Sequence, residues 1–182
     1  MSDYRRSFID GGTFFFTVVT YQRQPILIDP LSLEILRSAW LDVSNRFPFT
    51  TDSICMLPDH LHCILTLPPG DTNYPMRWRE IKRIFTRTYL SYKKESIKRN
   101  ISHQKREEAT IWQRRYWEHT IRDEEDFNHH LNYIHYNPVK HGYVSNVSDW
   151  MWSSFHHYVN NGFYDTNWGS EINIDFNLQY GE

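Results

Sequence analysis

Cysteine is scarce in this sequence. Only Cys55 and Cys63 occur among 182 residues, too few for a disulfide framework, and both fall in strand-like stretches. No run of about 18 apolar residues is present, which excludes a membrane-spanning helix. The opening Met1-Ser2-Asp3-Tyr4-Arg5-Arg6 has no apolar segment behind it, so no secretory signal is expected. These absences predict a cytoplasmic chain with reduced thiols. Internal repeats and a linker to a second domain are also missing. One domain is therefore expected over residues 1–182, with a core from about 12 to 142 and a tail from 143 to 182.

Aromatic residues, by contrast, are abundant at 16%. The net charge of −2 conceals an asymmetry. Between Arg77 and Arg115 there are 13 Lys and Arg against 4 Asp and Glu, a balance of +9, while the rest of the chain holds 7 against 18, a balance of −11. A basic stripe on an acidic protein fits a polyanion docking on one face, and it equally fits a solvated, charge-rich helix.

Hydrophobic periodicity gives the element order. Thr13 to Thr20 is β-branched and aromatic and reads as a buried strand. Asp29-Pro30 supplies an N-cap and a first-turn proline for a helix with Leu33, Leu36, Trp40 and Val43 inward, ending near Phe47-Pro48. Strands from about Phe49 to Leu57 and from about His60 to Leu67 then form a hairpin. A long helix from about Met76 to Lys98 carries Trp78, Ile81, Phe85, Tyr89 and Tyr92 on one side and Arg79, Lys82, Arg83 and Arg87 on another. Residues 93–110 read as a helix end and a charged loop. A short strand from Tyr116 to Ile121 precedes a helix capped by Asp123, with Phe127, Leu131 and Ile134 inward and an end near Asn137-Pro138. The order strand, helix, strand, strand, helix, strand is the split βαβ, ferredoxin-like pattern. It predicts an α+β fold with a four-stranded antiparallel sheet and helices on one face.

Two stretches carry chemistry. In Leu61 to Leu67 the odd positions share one side of the strand, so His60 and His62 share the other, about 7 Å apart along the chain and able to share a divalent metal. A bare His-x-His is weak by itself. In the helix after residue 123, His129, Tyr133 and Asn137 follow one another at single-turn spacing, so one face offers imidazole, phenol and carboxamide. The plain alternative is a polar helix face with a packed Tyr ring and a wet hydroxyl.

Taken together, these stretches resemble a known family. His60-Leu61-His62 resembles the histidine–hydrophobic–histidine motif of the single-tyrosine HUH transposases. The segment Tyr133-Ile134-His135-Tyr136-Asn137-Pro138-Val139-Lys140-His141-Gly142 is similar to the nucleophile helix of their REP-associated branch. So are Tyr4-Arg5-Arg6 with Gly11 to Thr17, Arg77 to Lys82, Trp112-Gln113 with Tyr116 to His119, and Ser148-Asp149-Trp150. The charged stretch 93–110 matches no family pattern.

The resemblance implies a metal-dependent endonuclease and strand transferase of bacteria that acts near the nucleoid on single-stranded, hairpin-forming REP repeats. Tyr133 would be the nucleophile and a 5′-phosphotyrosine the intermediate. His60, His62 and the Asn137 carbonyl would hold Mg2+ or Mn2+, which tolerate a mixed N/O set with open positions. Cys55 across the hairpin leaves a zinc reading open. Arg5, Arg6, Arg77, Arg79, Lys82, Arg83, Arg87, His129 and Lys140 are the expected DNA contacts, and His129 is also a candidate proton acceptor. The oligomer is expected to be a monomer or homodimer. The rival readings are a non-catalytic single-strand binder, which the basic helix also suits, and a small metallohydrolase, which would need neither Tyr133 nor the stripe.

Overall fold

Phe14, Phe15 and Phe16 are all buried, because their strand lies in the interior of the sheet with side chains covered on both faces. Alternation sends Phe14 and Phe16 to one face and Phe15 to the other. At roughly 2–3 kcal/mol for each buried aromatic, this triplet is a strong local reason for the strand. The computed structural model describes residues 9–93 and 111–169. Arg5, Arg6 and most of the charged 93–110 stretch lie outside them.

The strands are β1 (Thr13–Val19), β2 (Thr50–Met56), β3 (His60–Thr66) and β4 (Trp117–Thr120). They form one sheet in the order β2-β3-β1-β4 with antiparallel neighbours, the arrangement the split βαβ pattern predicts. The helices are α1 (Pro30–Arg46), α2 (Tyr74–Lys93), α3 (Glu124–Lys140) and the short α4 (Phe155–Asn160). Asp29 caps α1, its carboxylate accepting from the Leu31 amide, with Pro30 in the first turn. Asp123 caps α3 by accepting from the Asp126 amide at 2.8 Å.

Among the described residues α1 and α2 cover the first face, with Leu27, Ile111 and Trp112 beside them, and there Leu61, Cys63 and Leu65 meet Trp78, Ile81 and Phe85. The helices of the split βαβ pattern thus lie on one face, as expected. The second face carries Phe15, Ile64, His60 and His62, and α3 and the tail close over it, with Leu131, Tyr133, Ile134 and Trp150 packed inward. Among the expected tail aromatics Phe155 is buried, whereas Phe163 is 72% exposed.

Three local expectations need correction. In α1 the buried stripe is Ser32, Ile35, Leu36, Ala39 and Val43, and Leu33 lies only partly covered. Tyr92, expected inward, is exposed because the packed face of α2 runs out at Tyr89. Helix α3 does not stop at Asn137-Pro138 but runs on to Lys140, where the His141 amide donates to the Asn137 carbonyl at 3.0 Å. A proline in the last turn removes one donor without disrupting the turns before it. Gly142, at φ +71, then takes the left-handed position that ends the helix. This extra turn brings Lys140 to the Tyr133 side of α3.

Candidate active site

The two histidines come together because β3 keeps them on one face. Their ring centroids are 4.9 Å apart, and both residues are fully buried. Each Nδ1 meets an oxygen. His60 Nδ1 lies 2.7 Å from Asp59 Oδ1, and His62 Nδ1 lies 2.9 Å from Thr17 Oγ1 on the neighbouring strand. Such contacts fix ring orientation and make Nε2 the nitrogen a metal would use. Arg23 reaches the other Asp59 oxygen at 2.9 Å. Burial alone would raise the Asp59 carboxyl, but hydrogen bonds from His60 and Arg23 bring it down to about 2. Arg23 can do this because Gln22 and Arg23 take positive φ angles in the turn after β1.

Tyr133 comes from α3 and faces the same pocket. Its ring lies 5.2 Å from the His62 ring and 6.0 Å from Phe15, and the residue is fully buried. Lys140, two turns later, donates from Nζ to the Tyr133 hydroxyl at 3.1 Å and lies 4.8 Å from the ring centre. Asn137, one turn after Tyr133, is also buried. His141 stands beside His60 at 5.3 Å between centroids, and Tyr143 stacks on His141. Two imidazoles with oriented Nδ1 partners on one strand face could hold a divalent metal between them. Cys55 does pair with His62 across the hairpin. Its burial pushes the thiol up to about 12. The register leaves the zinc reading open.

The expected DNA contacts separate into distinct environments. Arg77 is buried: Nη2 lies 2.7 Å from Asp71 Oδ2 and 2.6 Å from the Pro48 carbonyl, and further bonds reach the Phe47 and Asn73 carbonyls. It anchors the start of α2 to the α1–β2 connection and is not presented to DNA. Arg79, Arg83 and Arg87 are exposed, with Arg83 bound to Glu80 at 2.7 Å. They belong to α2 and so lie on the sheet face opposite the histidines. His129 is exposed on α3, whereas the buried imidazole at the sheet is its neighbour His130. His129 is one turn before Tyr133, yet its side chain is open to solvent.

Lys82 is also less available than expected. Its Nζ donates to the Gln113 carbonyl at 3.0 Å and sits beside the Trp112 and Tyr116 rings. Burial lowers its ammonium from 10.5 to about 8. The folded chain therefore holds that proton less tightly than the unfolded chain. The charge opposes folding fully below pH 8, and the penalty fades as pH rises from 8 to 10.5. Lys82→Met is expected to be the more stable protein at pH 7 by on the order of 1 kcal/mol. Urea melts of both proteins should show that advantage shrinking between pH 8 and 10.5. An advantage independent of pH would assign it to packing alone.

One cluster was absent from the reading of the sequence. His119, Asp126 and His130 bring potential ligand atoms within 4.8 Å of one another. Asp126 and His130 are one helical turn apart, and His119 is on the strand just before, a spacing that a search for i, i+4 ligand pairs would have found. Thr17, Asp59 and the Tyr133-facing role of Lys140 were also missed, since only strand register and the helix extension reveal them.

Comparison with known proteins places these residues in context. The pattern of the IS200-like transposases matches residues 12–137, which include His60, His62, Tyr133 and Asn137. A REP-associated tyrosine transposase of Escherichia coli K12 is 42% identical over 172 residues, covering 94% of this chain and 93% of its own length. A Haemophilus influenzae protein provisionally given the same name is 47% identical over 174 residues, 96% of this chain and 97% of its own. A solved structure of a REP-associated tyrosine transposase bound to a REP hairpin superposes with a TM-score of 0.80 at 40% identity, covering 100% of this chain and 98% of that one.

Proposed function

This chain belongs to the IS200-like transposase family, among the REP-associated tyrosine transposases, and on that premise we propose that it cleaves and rejoins single-stranded, hairpin-forming DNA through Tyr133. The observation that carries the reading is the meeting of α3 with β3, which brings the Tyr133 ring to 5.2 Å from the His62 ring.

In the cleavage step the Tyr133 oxygen forms a bond to phosphorus and the bond to the 3′-oxygen breaks. The phenol gives up one proton and the departing 3′-oxygen gains one, so the products are a 5′-phosphotyrosine and a 3′-hydroxyl. The reverse attack by another 3′-hydroxyl rejoins strands. The Lys140 ammonium, 3.1 Å from the phenol oxygen, stabilises the negative charge that grows there as the proton leaves. Asp59 and Thr17 hold the two imidazoles in place. A divalent ion held by His60, His62 and Asn137 would supply Lewis-acid polarisation of the phosphate.

Wild-type protein, a labelled single-stranded REP-type hairpin and Mg2+ or Mn2+ are expected to give a covalent protein–DNA band on a denaturing gel. Tight hairpin binding with no such band in either metal would leave a binding protein instead.

Exposed Arg79, Arg83 and Arg87 are proposed to contact phosphates from the outer face of α2. Replacing Arg79 and Arg83 with Ala is then expected to weaken hairpin binding and to reduce the slope of log affinity against log salt by about 0.7–0.9 per lost phosphate contact. An unchanged slope would return both to a solvated role.

A further inference from the structure

We propose that His119, Asp126 and His130 form a second divalent-metal site, suited to a first-row transition ion such as Zn2+, that fastens the edge strand β4 to α3. It shares no residue with the His60–His62 pair. The Phe15 ring stands between them, 5.6 Å from His62 and 4.8 Å from His130.

The geometry is already assembled. His119 Nε2 lies 2.8 Å from Asp126 Oδ2, and His130 donates from Nδ1 to the Asp126 backbone carbonyl at 2.8 Å with Asp126 Oδ1 at 3.2 Å, which leaves His130 Nε2 as the nitrogen for a metal. The two imidazoles are nearly parallel, 15° apart with centroids at 4.5 Å. Two nitrogens and one carboxylate oxygen, all within 4.8 Å of one another, are the set that binds Zn2+ or Fe2+ with positions left open. Asp126 and His130 are buried, with side chains only 4% and 3% exposed, while His119 is 28% exposed and marks the way in. Both elements are rigid: β4 is paired to β1, and α3 supplies its two ligands from successive turns.

Arg122 is the competitor. Its Nε lies 2.9 Å from Asp126 Oδ2, yet its side chain is 72% exposed. This guanidinium meets the carboxylate where an ion's charge would act, and a bound ion would displace it while the Arg122 amide keeps its own bond to Oδ2 at 3.1 Å. His130 is three residues before Tyr133 on α3, so an ion here would fix the height and rotation of the nucleophile helix against the sheet.

The test uses the full-length chain with His60 and His62 both replaced by Ala, so that the catalytic pair cannot hold metal. Zn2+ affinity is read by competition against Co2+ absorption, with bound zinc counted after dialysis. This protein is expected to keep one tightly held ion, and adding His119→Asn should remove it. Arg122→Gln, which keeps the backbone amide bond to Asp126, should tighten Zn2+ about tenfold by removing a nearby positive charge. A misfolded protein would show no such gain. If the doubly substituted protein holds no Zn2+, or if its affinity is unchanged by both His119→Asn and Arg122→Gln, the proposal is overturned and Asp126 is an ion-pair node only.

Discussion

Replacing Tyr133 with Phe is expected to abolish the covalent protein–DNA product while hairpin binding survives. The substitution removes one oxygen and keeps the ring that packs on His62 and Phe15. The folding cost includes the hydrogen bond from Lys140, about 1 kcal/mol. Tyr136 is not placed to stand in. Tyr136 turns its ring toward Gly169 and the Val147 side of the tail, away from the histidines. Loss of a nucleophile typically costs roughly five to six orders of magnitude in rate, which on a gel is loss of the band. Lys140→Met should keep the band but slow its appearance by about 100-fold, the scale for removing one donor to a developing oxyanion. A Tyr133→Phe protein that still forms the band would show that another residue attacks.

Arg77→Ala is expected to be the most destabilising single change among the basic residues of α2. The guanidinium serves two Asp71 oxygens and the carbonyls of Phe47, Pro48 and Asn73. Hydrogen bonds from Arg77 hold the Asp71 carboxyl below the usual range, more than burial raises it. Removing one partner of a buried charged network costs about 3–5 kcal/mol, and because Asp71 is 30% exposed the lower end is expected. Arg77→Lys should recover little, since an ammonium cannot reproduce the planar fork. The measurement is the urea midpoint of Arg77→Ala beside Arg79→Ala, with the second expected to match wild type. If Arg77→Ala melted like wild type but bound hairpin poorly, the residue would belong to the DNA surface after all.

Strand alternation needs no tertiary information, so His60 and His62 on one side of β3 were legible from the sequence. So were the caps Asp29 and Asp123 and the six-element order that gives the sheet. The helix that follows β4, with Tyr133 and Asn137 one turn apart, was legible for the same reason: local periodicity fixes local faces. What the sequence could not decide was which faces meet. Arg77 and Arg79 are both basic residues of one helix, but only the position of the α1–β2 connection makes the first a buried anchor and leaves the second in water. His129 and His130 are adjacent and chemically identical, and the docking angle of α3 on the sheet selects His130. The pairing of Thr17 with His62, and of Cys55 with His62 from the other side, depends on strand register. Lys140 reaches Tyr133 only because α3 continues through Pro138. Each of these depends on contacts between segments distant in the chain, which no local pattern encodes.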